Sequence, residues 1–155
     1  MVMLTPPEKT IRAQLISRYI RAAGYVGVVV FTCGNAAAAL RSVGVDVLEV
    51  GNHGELIPGK WWTPAEIRRI WPDRFDATSG HLPAPLMAEI AAALRKAMGH
   101  LPPAEYGIPT GSGETIICMR WAYPLCTFVP IYGGSAATAY RPQAPLNYAV
   151  APQWS

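Results

Sequence analysis

Apolar residues recur at helical spacing through Ile11, Leu15, Ile16, Tyr19 and Ile20, with Gly24 just beyond them. That spacing predicts an α-helix closed by a glycine cap. Thr5-Pro6-Pro7-Glu8 reads as its start: a candidate cap, prolines near the first turn and an early acid. Residues 26–32 form a continuous apolar run rich in valine, the pattern of a buried parallel strand. Residues 36–43 are strong helix formers stopped by Gly44, and residues 45–50 read as a second strand. Together these predict a βαβ unit over residues 26–50, the clearest structural signal in the chain.

Further along, residues 51–60 read as a loop. Thr63-Pro64-Ala65-Glu66 spells a capping box that opens a short helix ending near Trp71-Pro72. Residues 76–85 read as irregular. Residues 84–98 predict a helix with Leu86, Ile90, Leu94 and Ala97 on one face. A short strand at residues 106–109, a helix over residues 114–121 and a strand at residues 127–132 complete the pattern. The expected fold is a three-layer α/β domain over residues 1–132, a mainly parallel sheet flanked by helices. Residues 133–155, rich in Pro, Ala and Tyr without periodicity, read as a tail.

Composition refines this picture. The chain has 155 residues, of which 51% are hydrophobic and only 15% charged. That length suits one domain with its own core. The thin charge suggests that a partner covers some apolar surface, which favours a homo-oligomer over the alternative of an Ala-rich monomer. Net charge is +3, with no basic run or aromatic-interleaved basic stripe. Mild basicity suits a small anionic ligand and leaves nucleic-acid contact without specific support. Cys33, Cys118 and Cys126 are odd in number, lack CxxC spacing and form no metal pattern with His53, His81 and His100. A cytoplasmic, reducing setting with buried thiols is expected. No apolar run reaches membrane-spanning length.

Candidate chemistry centres on Thr110-Gly111-Ser112-Gly113-Glu114-Thr115, between a predicted strand and a predicted helix. Two glycines allow close approach of a ligand to the backbone, and successive amides at a helix start attract anions. Ser112 and Thr115 add hydroxyl donors. The string is close to a nucleotide P-loop, but Glu114 stands where a P-loop needs lysine, and a carboxylate there repels β- and γ-phosphates. A second turn, Cys33-Gly34-Asn35, also ends a strand and starts a helix. Asn35 is either a helix cap or a side-chain donor at the carboxyl edge of the sheet, where α/β ligands bind. Lys9 lies at the start of the first helix, with Arg12 one turn away. It is either a solvated surface lysine or, beside helix amides and a second cation, an amine suited to Schiff-base chemistry.

Three elements in this order resemble the fold-type II pyridoxal-phosphate enzymes, such as cysteine synthase, threonine dehydratase and aminocyclopropane-carboxylate deaminase. Lys9-Thr10-Ile11-Arg12-Ala13 is similar to the family's lysine-plus-arginine segment. Residues 32–40, Thr-Cys-Gly-Asn followed by an Ala-rich stretch, are similar to its Ser-Gly-Asn turn and helix. Residues 108–115 are similar to its phosphate-cupping turn, and Glu89-Ile90 precedes them as Glu-Ile often does in the family. The resemblance implies a reduced tryptophan-synthase-β-like core and pyridoxal 5′-phosphate as cofactor. Lys9 would hold it covalently, Asn35 would contact its 3′-oxygen, and Gly111, Ser112, Gly113 and Thr115 would bind its phosphate. Ser135 or Thr138 would face the pyridine nitrogen. The implied activity is elimination, replacement, deamination or decarboxylation on an amino acid or amino-acid-like group, including one carried on a large substrate such as a modified nucleotide. The alternatives are a non-catalytic anion-binding domain, or an oligomeric assembly domain, derived from the same fold.

Overall fold

The computed structural model describes residues 1–30, 35–50, 62–78, 82–110 and 114–132, with the side chains of Asn35, Thr110, Glu114 and Tyr132 left out. The strands are β1 (Val2–Met3), β2 (Gly27–Val30), β3 (Val47–Glu49), β4 (Arg74–Asp76), β5 (Glu105–Thr110) and β6 (Thr127–Tyr132). The helices are α1 (Glu8–Ala23), α2 (Asn35–Ser42), α3 (Pro64–Ile70), α4 (Ala84–Met98) and α5 (Glu114–Ala122). The chain is α/β, and all of its described strand pairings are parallel. No described helix is long and apolar enough to cross a membrane.

The strands form two three-stranded sheets, ordered β1-β5-β6 and β3-β2-β4, where the sequence pattern suggested one. Two strands escape that pattern. Val2–Met3 is too short for periodicity to register, and Arg74–Asp76 has a single apolar residue. Both are specified by partners: Val2 pairs with Tyr106, and Phe75 with Val28.

In the β3-β2-β4 sheet, strand alternation sends consecutive valines to opposite sides. Val28 and Val30 join the main core, while Val29 joins a smaller cluster with Val50 and Ile67 of α3. A strand apolar on both faces is what a sheet covered on both sides requires. Among the described residues the β1-β5-β6 sheet is covered on one side, where Tyr106, Ile108 and Phe128 join the main core and α5 packs on β5 and β6. Its other side carries Met1, Met3 and Ile131, which converge over Gly107 and stay exposed.

α1 links the two sheets. It follows β1 in the first sheet, leads into β2 in the second, and packs against α2, α4 and α5. Gly24 stops it in the left-handed conformation at φ +83°, with its N–H on the Ile20 carbonyl at 3.0 Å. The start differs from expectation: Pro7 is the N-cap residue and no side chain caps the helix, so Thr5 does not serve. The buried face is also rotated. Ala13, Ile16 and Ile20 are buried together with Glu8, Arg12 and Ser17, while Tyr19 is 40% exposed and its ring packs tilted against Phe75.

The remaining helices follow their local signals more closely. α3 has the capping box intact, with Glu66 N–H on Thr63 Oγ1 and Thr63 N–H on Glu66 Oε1, both at 3.1 Å. α4 buries Leu86, Met87, Ile90, Ala91 and Leu94, leaving Ala97 exposed. Its Arg95 donates to the Ala122 carbonyl at the end of α5 at 2.6 Å, the place where a cation suits a helix C-terminus. Arg95 also lies 5.6 Å over the Tyr123 ring; burial pushes that phenol above its ordinary 10, with Arg95 opposing.

Gly27 opens β2 where the Asp46 backbone and the Arg74 guanidinium cross it. A Cβ there would strike the Asp46 carbonyl oxygen and lie 2.7 Å from Arg74 Nη1. Arg74 is held in place by Asp46 Oδ1 at 2.7 Å and the Val28 carbonyl at 3.2 Å, so it cannot yield freely. Gly27→Ala is expected to destabilise the fold by roughly 1–3 kcal/mol in urea unfolding, the usual cost of overpacking. An unchanged midpoint would show that the crossing is looser than these distances imply.

Candidate functional site

Strand register fixes where α1 and α5 begin. β1 and β5 run parallel, with Met3 opposite Gly107 and the Leu4 N–H on the Gly107 carbonyl at 2.9 Å. Beyond that point β5 ends at Thr110 and α5 begins at Glu114, while the other strand leads through residues 4–7 into α1. Both helices therefore start at the carboxyl edge of this sheet, where ligands of parallel α/β proteins bind. A three-residue connection at 24–26 then turns α1 back into β2. The C-terminal end of β2 consequently points toward the same end of the molecule as the first turn of α1.

The two helix starts are joined by one carboxylate. Glu8, first residue of α1, is 0% exposed. Its Oε2 accepts a hydrogen bond from Thr115 Oγ1 at 3.2 Å, and its Oε1 accepts one from Cys118 Sγ at 3.6 Å. Arg12 Nε lies 3.4 Å from Oε1, completing an ion pair one turn along the same helix. Helical spacing makes this possible twice. Residues 8 and 12 share a face of α1, and residues 115 and 118 share a face of α5.

A buried carboxylate is tolerable only when donors and opposite charge replace water. Here two hydroxyl or thiol donors and a guanidinium do so. The position helps as well: Glu8 sits in the first turn of its own helix and against the first turn of α5, where both helix dipoles favour negative charge. Arg12 is bound to Glu8, so it is not simply a spare cation beside Lys9.

Lys9, the second residue of α1, is half-buried and adjoins the Glu8 anchor. Thr115 is half-buried in the first turn of α5, its hydroxyl on Glu8. These two predicted residues are thus brought to one edge of the molecule. Asn35 is the first residue of α2, where the sequence pattern put it in the turn before a helix from residue 36; its side chain is outside the described residues. Gly111, Ser112, Gly113, Ser135 and Thr138 also lie outside them. Glu8 and Cys118 carry the centre of the site and were not singled out from sequence, where Glu8 reads only as an early helix acid.

Phosphate-like anions would find the first-turn amides of α5, which lack intrahelical partners. The Thr115 hydroxyl has one proton and directs it to Glu8, so backbone amides rather than that hydroxyl would meet the anion. Comparison with protein-family models, curated proteins and solved structures finds no match to this chain.

Removing the carboxylate takes its charge from beside the buried Arg12 guanidinium and its oxygens from the Thr115 and Cys118 donors. Glu8→Ala is expected to cost about 3–5 kcal/mol in urea unfolding, as for other broken buried pairs. A loss below about 1 kcal/mol would place Glu8 among ordinary surface ion pairs.

Proposed function

We propose that the chain is a small pyridoxal-phosphate-dependent enzyme acting on an amino acid or amino-acid-like group, with Lys9 as the residue that carries the cofactor. One observation supports this reading above the rest. The Glu8–Thr115 bond spans 107 positions of sequence and places the first turn of α1, with Lys9, against the first turn of α5. An amine and a helix N-terminus at one edge of a parallel sheet fit the two ends of this cofactor. The α5 amides suit its phosphate, and Lys9 suits its aldehyde.

When bound, the cofactor supplies an electron sink for bonds breaking at the substrate's α-carbon. The chain's own part would be to hold the phosphate at the α5 amides and to present the Lys9 amine. Arg12 keeps the Glu8 charge compensated, which limits its repulsion of a phosphate nearby. Asn35 at the start of α2 is assigned to the ring's oxygen, and Gly111, Ser112 and Gly113 to the phosphate. Ser135 is assigned to the ring nitrogen. The reaction class remains elimination, replacement, deamination or decarboxylation.

A second reading, a non-catalytic anion-binding domain, draws on the Thr115 hydroxyl being held by Glu8 rather than left for a ligand. One experiment separates the two. Purified protein mixed with pyridoxal phosphate is expected to gain a visible absorption band, and borohydride reduction should leave the pyridoxyl group on Lys9. Lys9→Ala should abolish the band while leaving inorganic phosphate binding intact. Phosphate binding without any labelling of Lys9 in the wild type would favour the non-catalytic domain.

A further inference from the structure

Glu8 is withdrawn from solvent: its side chain is 1% exposed. Its worth must therefore lie in what it holds. From α5 it receives Thr115 and Cys118, one on each oxygen, and from its own helix it is braced by Arg12. A carboxylate fixed on both oxygens keeps one rotamer, so the backbone at residue 8 is fixed relative to the first turn of α5. Lys9 shares that backbone.

We propose that Glu8 is a positioning residue, whose clamp on Thr115 and Cys118 sets the reach of the Lys9 amine to a phosphate held at the α5 N-terminus. This rests on the pyridoxal-phosphate reading of the site. A flexible lysine spans many positions; the clamp restricts the end from which it starts. Reaction at Lys9 then becomes effectively intramolecular once the phosphate has docked, and a small shift of α1 would forfeit much of that advantage.

The test compares labelling at two lysines with two aldehydes. Full-length wild type, Glu8→Ala and Glu8→Asp are incubated with pyridoxal phosphate or with pyridoxal, which lacks the phosphate, then quenched with borohydride. Pyridoxyl groups on Lys9 and on exposed Lys96 are followed over time by peptide mass mapping. Lys96 reports the intrinsic difference between the aldehydes. In the wild type, the phosphate is expected to accelerate Lys9 roughly tenfold or more beyond its effect on Lys96, as docking raises local concentration.

In Glu8→Ala, which has no acceptor for Thr115 or Cys118, that excess should fall to the Lys96 level, with helix content by circular dichroism unchanged. If Glu8→Ala does not fold, Glu8→Asp carries the same comparison: it keeps the charge beside Arg12 but shortens the reach by one methylene. An excess retained in a folded variant overturns the role given to Glu8 and leaves the cofactor reading standing. A wild-type Lys9 showing no excess over Lys96 overturns the cofactor reading, and the role of Glu8 with it.

Discussion

The Glu8 carboxylate, withdrawn from water and shared between α1 and α5, is the interaction on which the carboxyl edge of this protein depends. Its burial makes sense only as a set. A carboxylate in a protein interior needs donors, and α5 supplies two from one helical face; it needs opposite charge, and Arg12 supplies it from the next turn of α1. Thr115, Cys118 and Arg12 all meet the same carboxylate, so the three contacts are linked through one group.

The clamp matters because of what α1 connects. It is the crossover between the β1-β5-β6 and β3-β2-β4 sheets and packs against helices belonging to both. Ala13, Ile16 and Ile20 give it an apolar seam with the main core. Apolar packing alone is non-directional and would tolerate small slides along the helix axis. A hydrogen-bonded carboxylate at one end does not. The apolar seam resists separation, and the directional bonds of Glu8 resist sliding. The consequence for chemistry is that the residue next to Glu8, Lys9, and the first turn of α5 share one edge.

Much of the fold was legible in the sequence because local signals and tertiary context agree. The capping box at Thr63–Glu66, Gly24 as a helix stop and the valines of β2 all act over a few residues and survive into the structure. Val2–Met3 and Arg74–Asp76 were not legible, since each is a strand only by virtue of its neighbour. The division into two sheets belongs to the same class, because pairing is not written into any one segment. Lys9 and Thr115 were singled out by residue type and by their expected place at helix starts, and both do lie in first helical turns. Glu8 was not, because an acid in a first helical turn ordinarily faces solvent and suits the dipole there. Its spacing to Arg12, and that of Thr115 to Cys118, are both visible in the sequence. That the two pairs face each other follows only once β1 has paired with β5 and brought the two helix starts to one edge.

A double-mutant cycle on Glu8→Ala and Thr115→Val tests that juxtaposition most directly, because it measures the link between α1 and α5 and not the stability of either helix. With unfolding free energies of the wild type, both single variants and the double variant, the coupling expected for groups in direct contact is about 0.5–3 kcal/mol. Additivity within about 0.3 kcal/mol, the behaviour of independent sites, would contradict the clamp and separate Lys9 from the α5 terminus.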